Sequence, residues 1–176
     1  MQKLREILFK AKHIHLLPQN EHLDGTWVEG YLCDENYIYS PKLKQEFLID
    51  PETVCQYTGL TDNTKWEQLS EREKKKFLSK WNYKKERRNI KEDWNGRKIF
   101  EGDIVRDIFN GSVIGIVKYG EYRNTFNDDE HGGHVGFYVE WKEKRDLLRK
   151  DLVYWVKNSE FIGNIFDNTD LIGGQA

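Results

Sequence analysis

The clearest fold signal in the chain is the stretch Asn95-Gly96-Arg97-Lys98-Ile99-Phe100-Glu101-Gly102-Asp103-Ile104-Val105. Asn-Gly is a strong turn signal, and the residues on either side of Glu101-Gly102-Asp103 include the β-branched and aromatic types typical of strands. Glycine permits the sharp bend that a small barrel needs, and the carboxylate of Asp103 can accept hydrogen bonds from turn amides. The stretch therefore predicts short strands around a tight, structurally important turn.

The sequence on both sides of this stretch repeats the same pattern of short β-prone runs and turn residues. Extended runs are predicted at residues 26–32, 37–39, 47–49, 53–60, 112–119, 136–142, 152–156 and 161–166. The first two of these runs predict a hairpin, because Asp34-Glu35-Asn36 lies between them. Residues 4–14 fit helical and strand spacing equally well. Many short strands at close spacing predict a small barrel or a folded sheet.

One segment breaks the β pattern. Residues 64–91 contain no Gly or Pro, and Thr64 with Glu67, like Ser70 with Glu73, matches the capping-box spacing. The apolar residues of the segment that share one helical face are Trp66, Leu69, Phe77 and Trp81. The segment therefore predicts one helix or two successive helices.

Composition indicates a folded, intracellular protein. Of the 176 residues 38% are hydrophobic and 14% aromatic, and the formal net charge is only −2, which argues against disorder. Cys33 and Cys55 are expected to be reduced thiols. The start lacks an apolar run like that of a signal peptide, and no stretch is apolar enough to span a membrane, so we expect a cytoplasmic protein without membrane contact.

Basic residues are concentrated in the predicted helical segment. Residues 72–91 hold ten Lys and Arg against two Glu, a net charge of +8 in a chain whose total is −2. Such a run can follow nucleic-acid phosphates. The residues assigned to phosphate contacts in this interpretation are Lys74, Lys75, Lys84, Arg87 and Arg88. Two other interpretations stay open: a solvated helix packed on the sheet, and a basic face that meets acidic protein surface.

Histidines suggest a weak metal-site hypothesis. His131 and His134 lie three residues apart and follow Asp128-Asp129-Glu130 in a glycine-containing loop, and His13, His15 and His22 form a second group of conceivable ligands. A polar surface loop that joins two strands is the favoured explanation of the first group. The chain carries no nucleotide-binding glycine pattern and no serine-nucleophile pattern, so we expect neither an enzyme nor a cofactor, with a metal-dependent enzyme as the alternative.

Five pieces of the sequence, in order and spacing, resemble the YopX family of small proteins encoded by phages and prophages. They include Gly25-Thr26-Trp27-Val28-Glu29-Gly30-Tyr31 and Ile162-Gly163-Asn164-Ile165-Phe166-Asp167-Asn168. The others are residues 5–12, 49–60 and 95–105. The resemblance implies an SH3-like pseudo-barrel, favours a strand at residues 4–14, and carries no established activity or catalytic residues. Cys55 stands where the family typically has glycine, so no thiol chemistry is assigned to it.

The resemblance also defines the expected organisation. Residues 1–61 and 95–170 form a single β-rich domain, residues 62–94 are a basic helical insertion, and residues 171–176 are a disordered tail. The predicted fold class is α+β, mostly β. The predicted function is that of a phage- or prophage-derived accessory protein in the cytoplasm of a bacterial host. We expect a non-catalytic module that self-assembles or binds another protein, with nucleic-acid binding as the alternative.

Overall fold

The computed structural model describes residues 7–16, 23–78, 94–124, 133–142 and 149–173. They form ten strands: β1 (Phe9–Lys12), β2 (Trp27–Leu32), β3 (Tyr37–Ser40), β4 (Gln45–Leu48), β5 (Cys55–Thr61), β6 (Lys98–Phe100), β7 (Asp103–Asp107), β8 (Ile114–Tyr122), β9 (His134–Trp141) and β10 (Ser159–Asn164). Two α-helices accompany them, α1 (Glu71–Leu78) and α2 (Leu152–Asn158). Short 3-10 helices span Pro51–Thr53, Trp66–Gln68 and Thr169–Ile172.

The strands form two antiparallel sheets. The larger sheet has the order β4-β3-β2-β1-β5-β6, and the smaller one has the order β10-β7-β8-β9. The predicted mostly-β class is confirmed, and so is the strand at the start of the chain. Both sheets are open in the described part of the chain, which contains no closed barrel.

Three apolar clusters form the core of the fold. The main cluster lies between the smaller sheet and α2 and receives Ile99 from β6, so both sheets contribute to it. A second cluster joins Leu8, Cys55 and Phe100, and a third fills the inner face of β1 to β4 around Ile38. Burial of these side chains is the main source of stability for such a fold.

The turn between β6 and β7 has the predicted structure. Gly102 has φ +79°, and the backbone N–H of Phe100 donates to the Oδ2 atom of Asp103 at 2.7 Å. Positive φ is strained for residues with a Cβ atom, so glycine is favoured at this turn.

One predicted strand is wrong. Residues 152–156 were expected to be extended, but Leu152–Asn158 is the helix α2. Leu152 and Trp155 are both buried, and Trp141 packs against Trp155 with ring centroids 4.6 Å apart. A spacing of three residues places both side chains on one helical face, and this contact overrides the β-prone composition of the run.

The predicted helical segment is partly described. The Ser70–Glu73 capping box is confirmed: the Ser70 backbone N–H donates to Glu73 at 2.9 Å, and the Glu73 N–H donates to the Ser70 hydroxyl at 3.3 Å. The other predicted box is wrong, because Thr64 bonds to Asp62 through its N–H and its hydroxyl. Residues 79–93 lie outside the described residues.

The ends of the chain are described in part. Of the tail expected from residue 171, Leu171 and Ile172 belong to the 3-10 helix Thr169–Ile172, and residues 174–176 lie outside the described residues. Neither of the two described α-helices has the length and apolar character needed to cross a membrane.

Candidate functional site

A groove opens in the larger sheet where β3 leaves β2. The ladder between these strands consists of the pairs Tyr31↔Tyr39 and Leu32↔Ile38, whereas the first part of β2 pairs with β1. At Gly30 the backbones of β2 and β3 approach closely, because a Cβ atom there would lie 2.0 Å from the carbonyl oxygen of Tyr39. Beyond this close contact the strands diverge, and the space between them has a volume of about 570 Å³.

The walls of the groove are largely apolar. The apolar residues that line it are Leu8, Leu23, Trp27, Val28, Pro41, Leu43 and Phe47. Leu43 is 56% exposed and Leu23 is 39% exposed, so part of this apolar surface faces solvent. A concave apolar surface with a few polar groups is the usual form of a ligand-binding site.

Two buried polar side chains, His13 and Ser40, also line the groove. They are 8% and 3% exposed, respectively. The Nδ1 atom of His13 lies 3.2 Å from the hydroxyl oxygen of Thr26, and its ring packs edge-on against Phe47. Burial, followed by the nearby His15, lowers the pKa of His13, so its imidazole is neutral at pH 7. A neutral imidazole can both donate and accept a hydrogen bond.

The charged residues that line the groove are mostly basic. They are Lys42 from the turn after β3, Lys76 from α1, Lys98 from β6 and Glu29 from β2. Lys98 and Glu29 form a salt bridge of 3.3 Å, and the ammonium of Lys98 also lies 5.5 Å from the ring centre of Tyr57. Three lysines against one glutamate give this site a positive balance.

A second charged cluster lies between β1 and β7. Lys10 and Asp103 form a salt bridge of 2.8 Å, and burial raises the pKa of Asp103 although Lys10 opposes that effect. The neighbouring Cys55 thiol is buried, and burial raises its pKa to about 12. A thiol is nucleophilic as thiolate, so this environment leaves Cys55 unreactive and gives the cluster a structural role. Both cysteines are free.

The predicted nucleic-acid residues are only partly described. Lys74 lies on α1 and forms a salt bridge of 2.8 Å with Glu71, and Lys75 is exposed on the same helix. Lys84, Arg87 and Arg88 lie outside the described residues. Their phosphate-binding role stays a prediction.

Among the described residues, the histidines proposed as metal ligands do not form a metal centre. His134 is exposed at the start of β9, with its ring 5.2 Å from that of Tyr122, while His131 lies outside the described residues. His13 and His15 are edge-to-face with ring centroids 5.0 Å apart, and His22 is outside the described residues. In the described part of the chain, no three His, Cys, Asp or Glu side chains converge as metal ligands would.

The groove itself was not predicted from the sequence. It combines residues of β2, β3, β4, β6 and α1 with loop residues on both sides of β1 and between β3 and β4, and no local spacing marks them as one site. His13 had been noted only as a conceivable metal ligand. Leu43, which is 56% exposed, gives no local signal either, because single exposed apolar residues are common on protein surfaces.

The fold defines a mostly-β protein of two antiparallel sheets. The family model described as YopX protein matches residues 91–173, which contain β6 to β10 and α2. The chain carries a YopX family domain at these residues, which confirms the resemblance noted from the sequence for residues 95–105 and 162–168. Residues 5–12, 25–31 and 49–60 lie outside the match. No curated protein and no solved structure matches the chain.

Proposed function

We propose that this protein is a non-catalytic, phage- or prophage-derived accessory module of the bacterial cytoplasm that self-associates through the β8–β9 hairpin. The observation that carries the proposal is a stripe of apolar residues that runs out of the core as far as Val135, which pairs with exposed Glu121. Val117 and Val139 are fully buried, but further along the same sheet face Tyr119 is 52% exposed and Val135 is 68% exposed. Tyr119 also contacts Phe137, with ring centroids 5.0 Å apart.

The position of this stripe favours a second copy as the partner. β9 is the terminal strand of the smaller sheet. Its edge already bonds to Lys150 and Asp151 near Val139, so the proposed contact lies at the other end of the strand, around Val135. In a two-fold dimer the same patch meets itself, so an apolar stripe is self-complementary. On the opposite face of the hairpin, Lys118 and Glu140 form a salt bridge with each other, so that face is charged, unlike the stripe.

Multi-angle light scattering over a range of concentrations tests self-association. The protein should form a dimer, and Val135→Glu should shift the mass to that of a monomer because it places a charge in the apolar contact. Val153→Glu is the matched control, since Val153 is also 68% exposed but lies on α2. A monomeric wild-type protein at all concentrations, or equal effects of both variants, would refute the proposal.

Nucleic-acid binding through the basic segment is the second candidate function. It is supported by the charge of +8 over residues 72–91 and by the exposure of Arg72, Lys75 and Lys76 on α1. Binding through phosphates must weaken steeply as salt rises, because it depends on counterion release. Titration of short DNA and RNA at low and physiological salt, with Lys84, Arg87 and Arg88 neutralised together as the variant, tests this function. Absence of binding at low salt would exclude it.

We also propose that residues 1–61 and 95–170 form one SH3-like pseudo-barrel domain into which residues 62–94 are inserted. The backbone N–H of Asp62 donates to the carbonyl of Arg97 at 2.8 Å, so the two ends of the insertion are adjacent. A bridge between His13 and Ile49 brings the end of β4 to the end of β1, with the Ile14 N–H donating to the Leu48 carbonyl at 2.9 Å. These contacts curl β1 to β4 around Ile38, as a pseudo-barrel requires.

A further inference from the structure

We infer that the groove between β2 and β3 binds an extended, acidic segment of a partner protein that carries an aliphatic or aromatic anchor residue. This inference concerns the larger sheet and is independent of self-association through β9. The shape, the apolar walls, the basic side chains and the buried polar groups of the groove all point to the same class of ligand.

The shape of the groove suits an extended backbone. It lies where β3 separates from β2 beside Gly30, and both strand residues and loop residues form its walls. A volume of about 570 Å³ exceeds that of one side chain and holds several residues of an extended chain. Proteins often recognise extended segments along exposed strand edges, with alternate side chains of the segment entering pockets.

The apolar walls provide a place for an anchor residue. Trp27, Val28 and Phe47 line the groove, and exposed Leu43 stands at its edge. Burial of one aliphatic or aromatic side chain against such walls is the usual source of affinity in peptide recognition. A uniformly polar segment would leave this surface without an apolar partner.

The charged residues that line the groove determine which net charge the bound segment should carry. Lys42, Lys76 and Lys98 come from three separate elements and converge on the groove, where Glu29 is the acidic lining residue. Acidic residues beside the anchor would complement this arrangement, whereas a basic segment would be repelled by it. The basic segment of this chain, residues 72–91, would be repelled by the same lysines and is therefore not the expected ligand.

The buried polar groups are suited to a peptide backbone. His13 and Ser40 are both more than nine-tenths buried and both line the groove. The neutral imidazole of His13 and the hydroxyl of Ser40 can donate and accept hydrogen bonds. Amide groups of a peptide present both kinds of partner, so these side chains fit its backbone without requiring charge.

An array of synthetic peptides of about eight residues, long enough to span the groove in extended form, provides the test. The array varies each position among acidic, basic, polar and apolar residues, and it is probed with the labelled full-length protein. Peptides with an aliphatic or aromatic residue flanked by Asp or Glu should be enriched. Their affinity in solution, followed by the fluorescence of the protein including Trp27, should fall as salt rises.

Variants then locate the binding site. Lys42→Glu combined with Leu43→Ser should weaken binding of the enriched peptide by about tenfold or more, because it reverses one charge and removes one apolar contact. The matched control combines Lys157→Glu with Val153→Ser on the exposed side of α2 and should leave affinity unchanged.

Four outcomes would overturn the inference: absence of enrichment, enrichment of basic or purely polar peptides, equal losses in both variants, and insensitivity of binding to the groove variant. If the groove variant instead abolishes self-association, the groove is occupied by a second copy and the inference is also wrong. A monomeric wild-type protein that still binds acidic peptides would refute only the proposal of self-association.

Discussion

Lys10 and Asp103 form a salt bridge of 2.8 Å although they are 93 positions apart in the sequence. Their side chains are only 13% and 12% exposed. The ammonium of Lys10 also lies 5.0 Å from the ring centre of Trp27 and 4.5 Å from that of Phe100. The contact connects β1 to the first strand of the smaller sheet, and so attaches the N-terminal strands to the YopX family domain.

Asp103→Asn should destabilise the protein by about 3 kcal/mol, because it leaves the ammonium of Lys10 buried without a counter-charge. The measurement is the free energy of unfolding in urea. A double-mutant cycle with Lys10→Met isolates the pair, and Asp103→Asn should cost much less once Lys10 has been replaced. Equal costs in both backgrounds would show that the two charges do not interact.

Glu160→Gln is the control for this prediction. Glu160 lies 3.5 Å from Arg106, but these side chains are 63% and 39% exposed. Exposed ion pairs contribute little because water and salt screen them, so the change should cost less than about 1 kcal/mol. A larger cost than that of Asp103→Asn would contradict the role assigned to burial.

The Asp103 turn shows what local sequence can predict. Glycine at the bend and an aspartate that binds a turn amide are local features, and both were anticipated. The partnership of Asp103 with Lys10 depends instead on how β1 packs against β7, which no local spacing encodes. Most strands and the YopX family domain were therefore predictable from local sequence, whereas the groove, which combines five elements with several loop residues, was not.

The helix α2 is an element that local sequence preference does not predict. Its sequence contains Val153, Tyr154 and Val156, which favour strands locally. The helix forms because Leu152 and Trp155 reach the core together on one face. The contact with Trp141 supplies energy that local preference does not describe, so a reading of local composition gives the wrong structure.

Gly30→Ala should destabilise the protein by about 2 kcal/mol or more, because an added Cβ atom would overlap the Tyr39 carbonyl oxygen at 2.0 Å. The strands must separate to relieve this overlap, so the edge of the groove should widen as well. Gly136→Ala is a matched control within a strand, since no atom lies within 4 Å of its Cβ position. Thermal unfolding should show a large loss for the first variant and little change for the second.

The two thiols should differ strongly in reactivity. Cys33 is exposed, whereas Cys55 is buried and burial raises its pKa to about 12. At pH 8, the thiol of Cys33 in the native protein should react rapidly with a chromogenic disulfide reagent. The thiol of Cys55 should react only after the protein unfolds. Cys33→Ser should remove the rapid phase. A rapid phase that persists in this variant would show that Cys55 is accessible.

Glu73 should make stability depend on acid pH. Burial alone would raise the pKa of Glu73, but hydrogen bonds from Ser70 and Arg97 outweigh burial and lower the pKa from 4.5 to about 2. A carboxylate whose pKa is lower in the folded state stabilises it fully above pH 4.5, and this contribution is lost as the pH falls towards 2.

Glu73→Gln should therefore reduce stability at pH 7, by no more than about 1 kcal/mol because the pair with Arg97 is partly solvent-screened. It should also flatten the loss of stability between pH 4.5 and 2. Urea unfolding across this range checks both effects, with exposed Glu67→Gln as the control, and parallel pH profiles for wild type and Glu73→Gln would contradict the assignment.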